Sequence, residues 1–259
     1  MKIQVLETNV LHASDVIYWL DGSTHTDTTQ MHRVAHSLSI EFSTYPKDLK
    51  VIQSAGKTGL LRKPTQDIVD GRATEAQRTF VAGSPYALEG QVTDPKGFYN
   101  ARTFSLTAGA ADGHGIVLYP TPIGSRVNKT GALFASLRWS GDGSPVPWAI
   151  ATLTITIPGV PQPQIYKGQA DYRGELVIPW PKVPPLSAGQ DHYDATLAVT
   201  ALQSATEDTP IDPSTLIAAE LESTTSENSF SDPIGLQVVP GEMLIVRSAS
   251  KDHLTVQPS

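Results

Sequence analysis

Gly131-Ala-Leu-Phe-Ala-Ser-Leu-Arg-Trp139, Leu153-Thr-Ile-Thr-Ile157, Gln169-Ala-Asp-Tyr-Arg-Gly-Glu-Leu-Val-Ile178 and Tyr193-Asp-Ala-Thr-Leu-Ala-Val-Thr-Ala201 are the runs that decide the fold. Apolar and polar residues alternate in each with a period of two, the signature of a strand with one buried face. Between them stand turn formers: Gly141-Asp-Gly-Ser-Pro145 after the first run and Asp171 with Gly174 inside the third. The pattern predicts a small antiparallel β-sandwich over residues 131–201. Its inward face should carry Leu133, Leu137, Ile150, Leu153, Ile155, Leu176, Ile178, Leu197 and Val199.

Composition extends the all-β reading to the whole chain. Charged residues make up 17% of the 259, below the usual ~25%, while Gly and Pro number 20 each. That is a chain of strands and turns, long enough for two domains. We expect two β-sandwich-like units, residues 1–122 and 123–259, with at most one short helix. The net charge of −7 and pI near 5.4 leave no basic footprint for a phosphate backbone, so no nucleic-acid partner is expected. With no cysteine there is no disulfide and no thiolate metal site.

Upstream, strands are predicted at Ile3–Leu6, Asp15–Leu20, Ser37–Ser43 and Leu49–Ile52, with a turn at Asp21-Gly22. Residues 55–78 lack sustained periodicity and read as a long surface loop. On an otherwise acidic chain it carries Lys57, Arg62, Lys63, Arg72 and Arg78, a local basic surface suited to an acidic neighbour. Tyr86–Leu106 reads as a hairpin about Asp94-Pro95-Lys96-Gly97, Ile116–Pro120 as a strand, and Pro120–Asn128 as the hinge between the units. Downstream, Asp212-Pro213 can cap and start a helix reaching Glu222. Ile234–Val239 and Met243–Arg247 flank Pro240-Gly241 as a closing hairpin, followed by a polar tail. The first residues carry Glu7 and His12 among apolar ones and show no cleavage site, so we expect cytoplasmic synthesis without a signal peptide. No run approaches the ~20 apolar residues of a membrane helix.

Candidate chemistry is thin. His25, His32 and His36 lie close in sequence, but Arg33, Val34 and Ala35 stand where a zinc helix would place its carboxylate, and solvated histidines are the expectation. Ser54-Ala-Gly-Lys-Thr58 lacks the leading glycine of a phosphate loop, since position 51 is Val51. Asp112-Gly-His114-Gly115 reads as a turn. Asp94, Asp142 and Asp171 are expected to bond their own turn backbones instead of calcium. Trp139, Trp148 and Trp180 cluster with Tyr166 and Tyr172 and suit a core or a protein interface, with Trp148 and Trp180 placed in the candidate interface set.

The order Gly131, Asp142-Gly143-Ser144-Pro145, Ala149, Asp171, Gly174, Leu176, Ile178, Tyr193, Leu197, Val199, Ala201 resembles the carboxypeptidase regulatory-like domain. This resemblance implies a transthyretin-like sandwich without a peptidase. A second pattern runs from Leu88 through Gly90, Val92, Asp94-Pro95, Gly97, Asn100, Arg102 and Phe104-Ser-Leu-Thr-Ala-Gly109, then Val117-Leu-Tyr-Pro120-x-Pro122-x-Gly124. With the sandwich that follows, it resembles accessory proteins of bacterial contractile injection systems. What this implies is a non-enzymatic structural or adaptor subunit at a cap, collar or baseplate. It would contact other protein subunits, need no cofactor or metal, and leave the cell within a particle released by lysis. Two other readings are a carbohydrate- or surface-binding sandwich and a hydrolase with a dispersed site.

Overall fold

A computed structural model describes residues 15–47, 49–62, 85–110, 112–127 and 129–259, with the side chain of Arg62 outside that description. The chain is all-β. The strand expected at Ile3–Leu6 lies outside the described residues, as do Lys63, Arg72 and Arg78.

The N-terminal unit comprises β1 (Asp15–Asp21), β2 (His32–Arg33), β3 (Ser39–Thr44), β4 (Leu49–Ser54), β5 (Lys57–Arg62), β6 (Tyr86–Thr93), β7 (Arg102–Ala108) and β8 (Gly113–Leu118). One sheet runs β2-β1-β5-β4 with β8 parallel to β1; the other is β3-β6-β7. Ile17, Trp19, Leu60, Leu88, Val92 and Phe104 fill the space between them. Trp19 donates its indole N–H to Thr58 Oγ1 at 2.9 Å, so the core's largest side chain buries no unmet donor. Each fully buried aliphatic here contributes roughly 1.5–3 kcal/mol. The long loop expected at 55–78 is corrected at its start: Ala55-Gly56 is a turn, and residues 57–62 are β5, paired with both β1 and β4. Thr58 and Leu60 are buried at alternate positions, a period too short to stand out beside the basic residues around it. His114 likewise sits in β8, paired in register with Ile17, and not in a turn.

The C-terminal unit comprises β9 (Ala132–Trp139), β10 (Ile150–Ile155), β11 (Gln164–Gln169), β12 (Glu175–Pro179), β13 (Tyr193–Ala201), β14 (Ile217–Glu222), β15 (Phe230–Ser231), β16 (Ile234–Val238), β17 (Met243–Val246) and β18 (Leu254–Pro258). One layer is built on β11-β10-β13, the other on β12-β9. Leu133, Leu137, Leu153, Ile155, Leu176, Ile178, Leu197 and Val199 all face the core, as the alternation requires. Ile150 is the exception: it has the opposite parity to Leu153, so it points outward and Ala151 takes the inward place. At Gly131, the residue before β9, φ is +102° and a Cβ would collide with Glu242 O and the Trp180 ring, so only glycine fits.

Three further expectations are overturned. The helix at Asp212–Glu222 is a single 3₁₀ turn at Pro213–Thr215, which Asp212 caps through Ser214 N–H, and then β14. Ala219 and Leu221 face the core at a period of two, and that packing overrides their helix propensity. The closing hairpin does not form, because β16 pairs with β13 in one layer and β17 with β9 in the other. The polar tail is instead β18, whose Leu254 and Val256 are fully buried between β14 and β9.

The units are joined by direct contacts. Arg102 donates to Val117 O within its own unit and to Asp212 Oδ1 at 2.9 Å in the other; Asn100 Nδ2 donates to Gln169 O at 3.1 Å. Burial pulls the Arg102 guanidinium below its ordinary pKa, and the Asp212 carboxylate opposes that pull. Residues 121–125 are pinned to the β6–β7 turn through Thr121, which donates to Gly97 O at 2.7 Å.

Candidate interaction surface

An open region of the C-terminal unit follows from how strands share edges. The edge of β13 is occupied by β14 along Val199–Ala201 and by β16 along Tyr193–Leu197. The edge of β9 is divided the same way, between β18 at Leu137–Trp139 and β17 at Ala132–Ala135. On one half, β14 and β18 pair with each other and close the sandwich. On the other half, among the described residues, β16 pairs only with β13 and β17 only with β9. A groove of about 970 Å³ opens along this seam, lined by Asp194, Leu236, Leu244, Val246 and Arg247 among others.

Leu236 and Leu244, one from each layer, pack against the core yet stay partly exposed at the groove. On the outer face of β17, Met243 is 68% and Ile245 60% exposed. An unpaired strand edge bordered by apolar side chains is a template for further strand pairing.

A second groove, about 690 Å³, is lined by Trp139, Asp142, Ser144, Gln203, Glu207 and Asp208. Thr206 in its lining accepts the indole N–H of the buried Trp148 at 2.9 Å, and Trp148 adopts φ +62°. A narrower cleft of about 160 Å³ lies between the units, against Ser23, His25, Tyr166, Lys167 and Lys182. Burial pushes the Tyr166 hydroxyl there up to about 12.

The candidate residues do not converge. Lys57 is exposed at the start of β5, and Arg62 ends that strand. Trp180 is fully buried and Trp148 is 6% exposed, so both belong to the interior and offer no contact surface; the correction follows from the apolar area each ring must hide. His25 accepts from Asp27 N, His32 lies in β2, and His36 stands 2.9 Å from Asp94 Oδ1 without hydrogen-bond alignment. Asp94 takes the backbone N–H of Lys96, Phe98 and Tyr99; Asp142 takes that of Ser144; Asp171 takes those of Arg173 and Glu175. These are the turn roles expected of them. Tyr99 donates to Asp21 Oδ2 at 2.8 Å, and burial, then the Asp21 charge, raise its pKa. The seam itself was missed by sequence reasoning. Its only local signals were Met243 and Ile245 on a short strand.

No family model and no curated protein matches the chain. Among solved structures, a leucine-rich repeat protein from Bacteroides thetaiotaomicron VPI-5482 aligns at 9% identity and a TM-score of 0.22, covering 95% of this chain. The chain spans 26% of that protein's length. A Bacteroides ovatus protein named as an adhesin aligns at 7% identity and a TM-score of 0.19, over 72% of each chain.

Proposed function

We propose that the chain is a non-enzymatic structural or adaptor subunit of a phage-tail-like contractile injection particle, working by protein–protein contact at a cap, collar or baseplate. The observation that supports contact as its mode of action is the open seam, with Met243 and Ile245 presented beside two unpaired strand edges. Exposed apolar surface of this kind marks interaction sites on folded proteins. The particle itself, and the regulatory-like character of residues 131–201, rest on the motif resemblances from Leu88 to Ala201. The test is purification of the tagged chain from its native host. Sheath, tube and baseplate proteins should copurify, and their absence from a stable purified complex would refute the reading. Reversal of Arg62 and Lys63 to Glu should leave the melting temperature unchanged and lower incorporation if the basic stretch is a subunit contact.

A second reading has its own support. The groove at Trp139 combines an aromatic wall with Asp142, Gln203, Glu207 and Asp208, a set able to stack on and hydrogen-bond a sugar. Glycan-array binding that is lost on Trp139→Ala would favour it; no binding to any glycan would remove it.

A further inference from the structure

The strand directions at the seam define what could fill it. β17 and β18 run parallel to β9, β14 runs antiparallel to β18, and β13 runs antiparallel to both β14 and β16. It follows that β16 and β17 point in opposite directions across the groove. One added strand could therefore pair with both, parallel to one and antiparallel to the other.

We propose that residues 2–7 of a second copy of this chain fill the seam as a donated strand. The segment reads Lys2-Ile-Gln-Val-Leu-Glu7, with Ile3 and Val5 at alternate positions. Running parallel to β17, it sets Ile3 beside Leu244 and Val5 beside Val246, all on the core side, and Gln4 beside the outward Ile245. Charge selects this direction. Lys2 enters at the end where Glu242 and Asp194 stand, and Glu7 leaves at the end where Arg247 stands. The opposite direction would set like charges together at both ends. Strand addition of this kind draws affinity from main-chain hydrogen bonds and specificity from alternate side chains.

The donor is a second copy for a reason of length. The start of β1 is anchored away from the C-terminal unit, where buried Asp15 accepts from Gly109 N at 2.7 Å and from Asp112 N. The other end of β1 reaches Tyr99 and the junction between the units. To reach its own seam, the segment before Asp15 would first run back along β1, seven residues long. It would then cross from the β11 flank to β16, three strand spacings or about 14 Å. That path consumes the residues that would have to do the filling.

This inference rests on the reading of the chain as an assembly subunit, and adds that the seam's partner is the chain itself. The absence of cysteine makes the test clean. Gln4→Cys and Ile245→Cys chains are purified separately, mixed and oxidised. A disulfide joining one of each, together with monomeric behaviour of a chain lacking residues 2–7 at an unchanged melting temperature, is the expected result. A crosslink within single chains of the Gln4→Cys/Ile245→Cys double variant would overturn the second-copy assignment. A wild-type chain that stays monomeric at high concentration, or a mixture of the two cysteine variants that forms no crosslink, would overturn the proposal. Copurification with particle proteins despite that failure would leave the assembly reading standing, and a mixed crosslink without a particle would do the reverse.

Discussion

The two halves of the C-terminal sandwich start from the same arrangement and end differently. In each half, one strand has joined β13 and another β9, yet only β14 and β18 meet. On the closed half, the chain between β14 and β18 is long and returns with a polar anchor. Glu222, with its side chain fully buried, accepts from Asn228 N at 2.8 Å and from Lys251 Nζ at 2.5 Å, and Lys251 also donates to Thr255 Oγ1. On the open half, the tight turn Val239–Glu242 carries the chain directly from one layer to the other, closed by Glu242 N–H on Val239 O at 3.1 Å. Strands that belong to layers about 10 Å apart do not pair merely because a turn links them. Pairing is decided by the layer each strand has joined.

The largest expected effect falls on both halves at once. Leu153 sits at the centre of β10 with no exposure, and Leu153→Asp would bury an unpaired carboxylate. The cost should be about 4 kcal/mol or more, enough to unfold the unit in urea titration at neutral pH.

Next comes the anchor of the closed half. Glu222→Gln should cost about 2 kcal/mol, because it strips the buried partner from an ammonium that is itself about a third exposed. The pH dependence has a defined sign. Burial raises the Glu222 pKa, but hydrogen bonds from Lys251, Asn228 N, Thr255 and Ser248 outweigh it and hold the group at about 2, below its ordinary 4.5. The unfolded chain thus binds the extra proton between those values. The stabilisation is complete above pH 4.5 and is lost as pH falls through about 2. Urea midpoints from pH 5 to pH 2 should drop more steeply in the native chain than in Glu222→Gln.

A matched pair of truncations sharpens the contrast between halves. Leu221→Ala in β14, fully buried, should cost about 3 kcal/mol, and Leu236→Ala at the seam about 1 kcal/mol, because Leu236 already shows part of its surface to water. Equal losses would mean that the seam is as well covered as the closed half. The smallest effect is expected at Ile245, 60% exposed: Ile245→Lys should move the stability of the isolated chain by no more than ~0.5 kcal/mol.

The sandwich was legible because β9, β10 and β13 each alternate over five residues or more, and one register slip was enough to misplace Ile150. Turn chemistry was legible for the same local reason: Asp94, Asp142 and Asp171 bond their own turns. What failed depends on distant partners. Asp212 and Pro213 are genuine helix-start residues, and they produce one turn before β13 and β18 claim the next six residues as β14. The Pro240-Gly241 turn is equally genuine, but nothing in it states that β16 and β17 join different layers. β18 is a five-residue strand paired with β9 more than a hundred residues earlier, and no local pattern announces that contact. The seam exists only as a product of these long-range pairings, so its two edges, Leu236 and Leu244 included, were invisible as a site in the sequence.

Hydrogen exchange followed by mass spectrometry, read over a range of protein concentrations, compares the two halves most directly. In dilute solution, amides of residues 234–238 and 243–246 should exchange faster than those of residues 217–222 and 254–258. Raising the concentration should slow the first set and leave the second unchanged. Equal protection of the two sets at every concentration would contradict an open seam that closes by association.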